Sequence, residues 1–236
     1  MKLGIDIGAE NTKIAIVDNG TVLSLVSLGT GSEQYAAAEK GIKQALEKIG
    51  KSKKDIKQIK VTGAGKKAIP DITKEEVSEF SAAAKGALFF FPLSRVVIDV
   101  GAEESRAVRM DSEGKIKDFA VNEKCAAGAG SFVGAMAKAL EISVEEVAKI
   151  ALQSNKKIPM NAQCVIFAES EVVSLIHGGF TKADISRAIH DAIADRIAGM
   201  ARRAGIEKDV VVIGGVANNI GFIDALKRAL SRMIPN

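Results

Sequence analysis

The sequence predicts an α/β protein built from two lobes that repeat one βββαβα order. Residues 1–28 alternate apolar and polar side chains in three runs broken by glycine-bearing turns, the pattern of an antiparallel meander. Residues 95–121 repeat that pattern. Each meander opens on an apolar strand that ends in Asp-x-Gly, at Asp6 and at Asp99, which indicates an internal duplication. We expect the first lobe over residues 1–91 and the second over residues 92–236.

Turn and cap residues divide the first lobe. Asn19-Gly20 is a typical hairpin dipeptide between the second and third strands. Residues 32–50 carry apolar side chains at helical spacing and close at a glycine, so they predict an amphipathic helix that covers the sheet. A fourth strand ends at Thr62 and Gly63, and residues 75–90 predict a second helix that is rich in small residues.

The second lobe opens with its own meander, in which residues 112–114 form the second hairpin. Four helices are expected next, at residues 128–140, 143–152, 165–177 and 182–204. Ser143 with Glu146 has the pattern of a capping box at the second of these. The apolar run at residues 210–213 predicts a buried strand that leads into a double glycine.

Composition is that of a globular protein. Hydrophobic residues make up 47% and charged residues 26% of the 236 residues, which excludes a disordered or fibrous class. The chain has no run of about 18 uncharged apolar residues and no signal-peptide pattern, so we expect a cytoplasmic protein with no membrane partner. The net charge of +4 is modest and the lysine-rich stretch at residues 48–60 lacks an aromatic platform, so we expect no nucleic-acid partner.

The turn after the first strand is a candidate phosphate site. The segment DIGAENTK sets Asp6 and Gly8 before Asn11, Thr12 and Lys13. A glycine turn between two strands leaves backbone amides and a hydroxyl pointing outward, where they can hold phosphate oxygens. The aspartate would face Mg²⁺ or its waters. A plain glycine hairpin has the same pattern, so both interpretations stay open for this turn alone.

The double glycine near the end of the chain is a second candidate. Gly214, Gly215 and Ala217 would leave bare backbone after a buried strand, against which a flat ring can lie. A structural loop that contains glycine is the simpler interpretation of this stretch by itself.

Both cysteines of the chain, Cys125 and Cys164, precede runs with helical spacing. A thiolate at a helix start lies at the positive end of the helix dipole, which favours an anionic or metallic ligand. Two buried free thiols are the alternative. The two histidines, His177 and His190, lie in helical runs and belong to no catalytic constellation, so we interpret them as packing or surface residues.

The turns DIGAENTK, DVGAEES and VIGGVANN occur in that order and resemble the two phosphate loops and the adenosine loop of the actin-like ATPase superfamily. Within it, NEKCAAGAGSF, NAQCVIFAESEVVSL and VTGAGK resemble the activators of 2-hydroxyacyl-CoA dehydratases and the ATPase subunits of benzoyl-CoA reductases. The resemblance covers nearly the whole chain. It implies two ribonuclease-H-like lobes that close on ATP.

The resemblance also implies residue roles. Asp6 and Asp99 would be the catalytic pair that organises Mg²⁺ and water, and Cys125 and Cys164 would bind a 4Fe-4S cluster. Because such a cluster takes four thiolates and the chain has two, we expect a homodimer that shares one cluster; zinc held by four cysteines is the other metal centre that this count allows. The ATP or ADP contacts would come from Gly8, Asn11, Thr12, Lys13, Gly101, Gly128, Gly130, Gly214, Gly215 and Ala217.

The function implied is that of an ATP-dependent electron donor. It would take an electron from ferredoxin or flavodoxin and pass it to a partner iron-sulfur dehydratase or reductase. The phosphate turns depart from the usual family residues at positions 9–11 and 102–104, where added acidity predicts altered magnesium placement or slower hydrolysis. A small-molecule kinase on the same fold and a non-catalytic nucleotide-binding regulator are the alternatives, and neither requires iron.

Overall fold

The computed structural model of the chain describes residues 1–122, 128–161 and 163–232. The chain forms two compact units, Met1–Ala82 and Ala83–Asn236, and each contains one four-stranded sheet. The elements are β1 (Lys2–Ile7), β2 (Asn11–Asp18), β3 (Thr21–Gly29), α1 (Gln34–Glu47), β4 (Gln58–Thr62), α2 (Glu79–Phe90), β5 (Val96–Val100), β6 (Ser105–Met110), β7 (Ile116–Asn122), α3 (Ala129–Ala139), α4 (Val144–Ala151), α5 (Val165–His177), α6 (Lys182–Ala204), β8 (Val210–Ile213) and α7 (Ile220–Ser231).

The sheet of the first unit has the strand order β3-β2-β1-β4. Its first three strands form the predicted antiparallel meander, and β4 returns parallel to β1 after α1. Asn19 and Gly20 both have positive φ at the β2–β3 turn, which confirms the predicted hairpin. Strand alternation turns Ile5, Ile14 and their neighbours to the face that α1 covers, where they form a buried core.

The second unit repeats this topology. Its strand order is β7-β6-β5-β8, and β8 runs parallel to β5 as β4 does to β1. The duplication predicted from the two meanders is therefore confirmed at the level of strand order. Four helices, α3 to α6, stand where the first unit has α1 alone, and they pack with α7 into the larger core, around Phe132, Met136, Ile193 and Phe222.

The helix predicted at residues 75–90 begins later than expected. Its helical part starts at Glu79, because the residues before it are extended and hydrogen-bond to β4. The Val61 amide donates to the Glu75 carbonyl at 3.0 Å, and the Val77 amide donates to the Val61 carbonyl at 2.8 Å. The prediction for residues 75–78 is wrong because pairing with a distant strand outweighs local helical spacing.

The remaining helices of the second unit match their predicted positions closely. Ser143 caps α4 by accepting a hydrogen bond from the Glu146 amide at 3.1 Å. Helices α5 and α6 occupy the predicted residues, and α6 is the longest at 23 residues. Across the described ranges, no helix combines the length and the apolar character that crossing a bilayer requires.

His190 is a core residue of α6. Its side chain is fully buried, and its Nδ1–H donates to the Ser186 carbonyl at 2.8 Å. Helix α7 packs closely on the imidazole ring. A Cβ added at Gly221 of this helix would lie only 3.0 Å from His190 Cε1. Burial lowers the pKa of His190, although the carbonyl of Ser186 and the nearby Asp191 oppose that shift. The folded protein therefore holds this histidine neutral.

We predict that His190 makes the protein less stable in mild acid. Since its pKa is lower in the folded state, the unfolded chain takes up the proton first as the pH falls below about 6.5. The free energy of unfolding should then fall by up to about 1.4 kcal/mol per pH unit. Urea unfolding of wild type and His190→Gln between pH 5.5 and 7.5 measures this.

The matched control is His177→Gln, since His177 is exposed at the end of α5. The control should keep the wild-type pH dependence, whereas His190→Gln should have a flatter one. Equal slopes for wild type and His190→Gln would contradict the prediction.

Candidate functional site

Each meander sets an aspartate opposite a basic residue. Asp6 pairs in register with Lys13, and the Lys13 Nζ to Asp6 Oδ2 distance is 2.9 Å. Asp99 pairs with Arg106, whose Nη1 lies 3.3 Å from Asp99 Oδ2. The duplication thus extends to charged side chains. Arg106 was missed in the sequence, although aligning the two turns would have placed it opposite Asp99 as Lys13 lies opposite Asp6.

A glycine closes each of the two turns in the same way. The Gly8 amide donates to the Asn11 carbonyl at 3.0 Å, and the Gly101 amide donates to the Glu104 carbonyl at 2.9 Å. A Cβ added at Gly8 would lie 2.9 Å from the oxygen that its own amide binds. Both turns are therefore short closed loops in which backbone amides are held in fixed directions.

The Thr12 hydroxyl does not point outward as the sequence predicted. Thr12 is fully buried, and its Oγ1 lies 3.0 Å from Oγ1 of Thr30, which in turn donates to the Gly8 carbonyl at 2.9 Å. The expectation is wrong because strand alternation directs Asp6 and Lys13 to one face of the sheet and Thr12 to the other. Thr12 supports the turn from beneath.

Asp6 and Lys13 border an open groove of about 580 Å³ on the sheet face opposite α1. Gly4, Ala15 and Leu25 contribute to the rest of its lining, and they lie side by side across the strands. Lys60 extends the same row on the far side of Gly4, so the groove has apolar residues between two basic side chains.

In the second turn, the Glu104 carboxylate already forms an ion pair with Arg106. Arg106 Nη2 lies 2.5 Å from Glu104 Oε2 while its Nη1 contacts Asp99. The Arg106 side chain is only 11% exposed, so the guanidinium is held between the two acids. Part of the acidity noted at residues 102–104 is therefore neutralised within the turn.

A glycine from the neighbouring parallel strand packs against each aspartate. Gly63 follows β4 with φ +94°, and Gly214 follows β8 with φ +91°. A Cβ added at Gly63 would lie 2.6 Å from Asp6 Oδ1, and one at Gly214 would lie 2.7 Å from Asp99 Oδ1. Both would also collide with the carbonyl oxygen of the residue after the aspartate. Gly63 was not among the predicted site residues, although its place after a parallel strand matches that of Gly214.

The loop after β8 has the bare backbone that the sequence predicted. Nothing lies within 4 Å of a Cβ added at Gly215, and that residue is exposed. Residues Gly215–Asn218 form a 3-10 turn in which the Ala217 amide donates to the Gly214 carbonyl at 3.2 Å. Asn219 then caps α7 by accepting from the Phe222 amide at 2.9 Å.

The first turn of α3 is bonded to the second Asp-x-Gly turn. The Gly130 amide donates to the Gly101 carbonyl at 3.2 Å, and both the amide and the hydroxyl of Ser131 donate to the Ala102 carbonyl, at 3.0 and 2.9 Å. A Cβ at Gly128 would collide with that same carbonyl oxygen. Gly128 and Gly130 therefore allow backbone-to-backbone packing between the turn and the helix.

The cysteines are described only in part. Cys125 lies outside the described residues. Cys164 is half-buried and is the N-cap of α5, with extended backbone and its carbonyl accepting from the Ala168 amide at 3.0 Å. The described ranges hold no cluster of three or more His, Cys, Asp or Glu side chains arranged for a metal ion. The prediction that both cysteines precede helices is confirmed for Cys164.

The start of the loop that precedes Cys164 is hydrogen-bonded to α6. Asp184 accepts hydrogen bonds from Lys156 Nζ at 2.8 Å and from the Ser154 hydroxyl at 2.7 Å. The hydrogen bond from Lys156, followed by that from Ser154, holds the pKa of Asp184 well below its usual range. The carboxylate therefore stays ionised and anchors the loop at neutral pH.

Comparison with known proteins places these features in a family. A model of the BadF/BadG/BcrA/BcrD ATPase family matches residues 3–236. The activator of lactoyl-CoA dehydratase from Anaerotignum propionicum is 38% identical over 231 residues, which cover 97% of this chain and 88% of the relative.

Two solved structures share the fold closely. Component A of the (R)-2-hydroxyglutaryl-CoA dehydratase of Acidaminococcus fermentans has a TM-score of 0.91 at 35% identity, over 97% of this chain and 88% of that one. The Clostridium difficile activator of 2-hydroxyisocaproyl-CoA dehydratase, solved with bound ADPNP, has a TM-score of 0.87 at 32% identity, over 97% and 85%. The fold is the actin-like ATPase fold that the sequence predicted.

We predict that the two adjacent glycines after β8 differ sharply in their tolerance of a side chain. Gly214→Ala should lower the free energy of unfolding by about 2 kcal/mol or more, because it combines positive φ with a collision against β5. Gly215→Ala should change it by less than about 0.5 kcal/mol, since the added methyl meets open space. Denaturant unfolding of the two variants measures the difference, and equal losses would contradict the geometry.

Proposed function

The chain belongs to the BadF/BadG/BcrA/BcrD ATPase family, and from this membership we propose that it is an ATP-dependent activator that donates an electron to a partner iron-sulfur dehydratase or reductase. The observation that carries the proposal is the set of hydrogen bonds between the first turn of α3 and the second Asp-x-Gly turn. That contact joins a candidate phosphate site to the helix that follows Cys125. Relatives named as activators of 2-hydroxyacyl-CoA dehydratases support the choice of partner.

The first turn, the second turn and the loop after β8 each offer candidate contacts for ATP or ADP. Asp6 and Asp99 organise Mg²⁺ and water, since carboxylate oxygens are the ligands that Mg²⁺ prefers. Lys13 and Arg106, placed opposite these acids, supply positive charge to phosphate oxygens. The turns that Gly8 and Gly101 close, with Asn11 in the first, would approach the phosphates, and Thr12 lies beneath the first turn. Gly214, Gly215 and Ala217 accept the adenosine.

In this proposal Cys164 is one of the iron-sulfur ligands. Within the described part of the chain, the first-turn amides of α5, from Val165 to Phe167, donate to no carbonyl and to no side chain. These amides and the helix dipole favour negative charge next to the thiolate. Cys125 supplies the second thiolate of the chain. A homodimer then offers the four thiolates that a 4Fe-4S cluster takes, and the bound cluster supplies the one-electron chemistry.

Coupling between the two sites follows from the α3 contact. A change in what the second turn binds would shift the Ala102 carbonyl, and Ser131 and Gly130 would move with it. Helix α3 is continuous from that contact, so its direction would change as a unit. Nucleotide state would thereby alter the position of Cys125 relative to Cys164.

We predict that the anaerobically purified or reconstituted protein binds about four irons per dimer, with the absorption of an iron-sulfur cluster. Cys125→Ser and Cys164→Ser should each abolish iron binding, because each removes two of the four thiolates of the dimer. Iron and acid-labile sulfide analysis with the visible spectrum measures this. The control is Ser112→Cys, which adds an exposed thiol in the β6–β7 turn and should not restore iron to Cys125→Ser.

A dimer that stays free of iron after reconstitution would rule out the cluster. Retained ATP binding together with phosphoryl transfer to a sugar or acid would then favour a small-molecule kinase. Nucleotide binding with neither iron nor transfer would favour a regulatory protein.

We predict that Asp6→Asn lowers ATPase activity by about 100-fold or more, because a metal-organising carboxylate contributes several kcal/mol to transition-state stabilisation. Phosphate release under saturating Mg²⁺ and ATP measures this. The control is Asp71→Asn, which changes an exposed aspartate of the same unit and should leave the rate unchanged. Equal rates for Asp6→Asn and wild type would remove Asp6 from the site.

A further inference from the structure

The stretch that leads into Cys164 is tied back to the second turn of α5. Glu171 Oε2 accepts a hydrogen bond from the Asn161 amide at 2.7 Å. The Asn161 side-chain Oδ1 in turn accepts from the Gln163 amide at 2.7 Å. Since Glu171 belongs to α5 and Cys164 is its N-cap, the two hydrogen bonds close a loop between the helix and the backbone that enters it.

Few other polar contacts restrain the described residues of this backbone. Asn161 and Gln163 are exposed, and no side chain caps the amides of the first turn of α5 in the described part of the chain. The Lys156 contact with Asp184 lies further back along the loop. Among the residues that the structure describes, the half-buried Glu171 therefore restrains the backbone at Asn161, three residues before Cys164.

We infer that Glu171 is a positioning residue that holds Cys164 in a fixed direction relative to the axis of α5. The inference rests on the proposed function only for the ligand that Cys164 would bind. It adds to that function a structural difference between the two cysteines. Cys164 moves with α5, whereas the helix after Cys125 is bonded to the second Asp-x-Gly turn.

The chemistry of the contact suggests a set of three variants. Glu171→Ala removes the acceptor and frees the Asn161 amide. Glu171→Gln removes the charge but keeps a side-chain carbonyl oxygen that can accept the same hydrogen bond. Glu169→Ala, on the same helix, removes a carboxylate that makes no hydrogen bond to the loop in the described residues.

The chain contains two cysteines, so Cys125→Ser leaves Cys164 as its single thiol. A nitroxide attached to Cys164 in that background reports the local mobility of the residue by electron paramagnetic resonance at room temperature. Glu171→Ala should shorten the rotational correlation time of the label by about twofold or more, while Glu171→Gln and Glu169→Ala should match the parent. An unchanged correlation time in Glu171→Ala would overturn the inference.

Iron uptake tests the same residue in the protein that keeps both cysteines. Glu171→Ala should bind less iron per dimer on reconstitution and Glu171→Gln should recover it, with thermal unfolding midpoints of the apo proteins unchanged. Full iron content in Glu171→Ala would overturn the inference. If Glu171→Ala does not fold, Asn161→Ala serves in its place, because it breaks the second hydrogen bond of the loop.

The two proposals fail in different ways. Wild-type protein that binds no iron would defeat the proposed function. The label experiment, which needs no cluster, would still decide whether Glu171 positions Cys164.

Discussion

The close approach of α3 to the second Asp-x-Gly turn is the constraint on which the candidate site depends. Two amides and one hydroxyl of α3 donate to the carbonyls of Gly101 and Ala102, and the backbones meet with no room for a side chain at Gly128. Each hydrogen bond needs its partner within a narrow distance, so a displacement of the turn would break this contact unless the helix followed it.

The two units share one strand topology but differ in the segments that follow it. Both pair an aspartate with a basic residue across β-strands, and both pack a positive-φ glycine from a parallel strand against that aspartate. They differ after the meander, where a single helix covers the first sheet and four helices follow in the second. Both cysteines of the sequence fall between β7 and β8, so the candidate phosphate turn of the second unit shares its unit with both thiols and the first unit contains none.

The anchoring of Cys164 complements the α3 contact. Glu171 ties the approach to Cys164 to α5, and Asp184 ties the earlier part of the same loop to α6. A metal centre held by Cys125 and Cys164 would respond to a ligand at the second Asp-x-Gly turn. A shift of α3 without a shift of α5 would change the distance between the two thiols. In a homodimer the same change would occur twice around the symmetry axis.

The sequence by itself determined the local elements, since the spacing of apolar residues places α5, α6 and the meanders, and Asn19-Gly20 specifies its hairpin. The three turns and both cysteine stretches of the sequence also resemble the motifs of one family. Only the tertiary structure decided the buried direction of Thr12, the late start of α2 and the contacts of Gly128 and Ser131. The first two depend on how strands pair, and Gly128 and Ser131 meet Ala102 far back along the chain, so local spacing carries no information about these contacts.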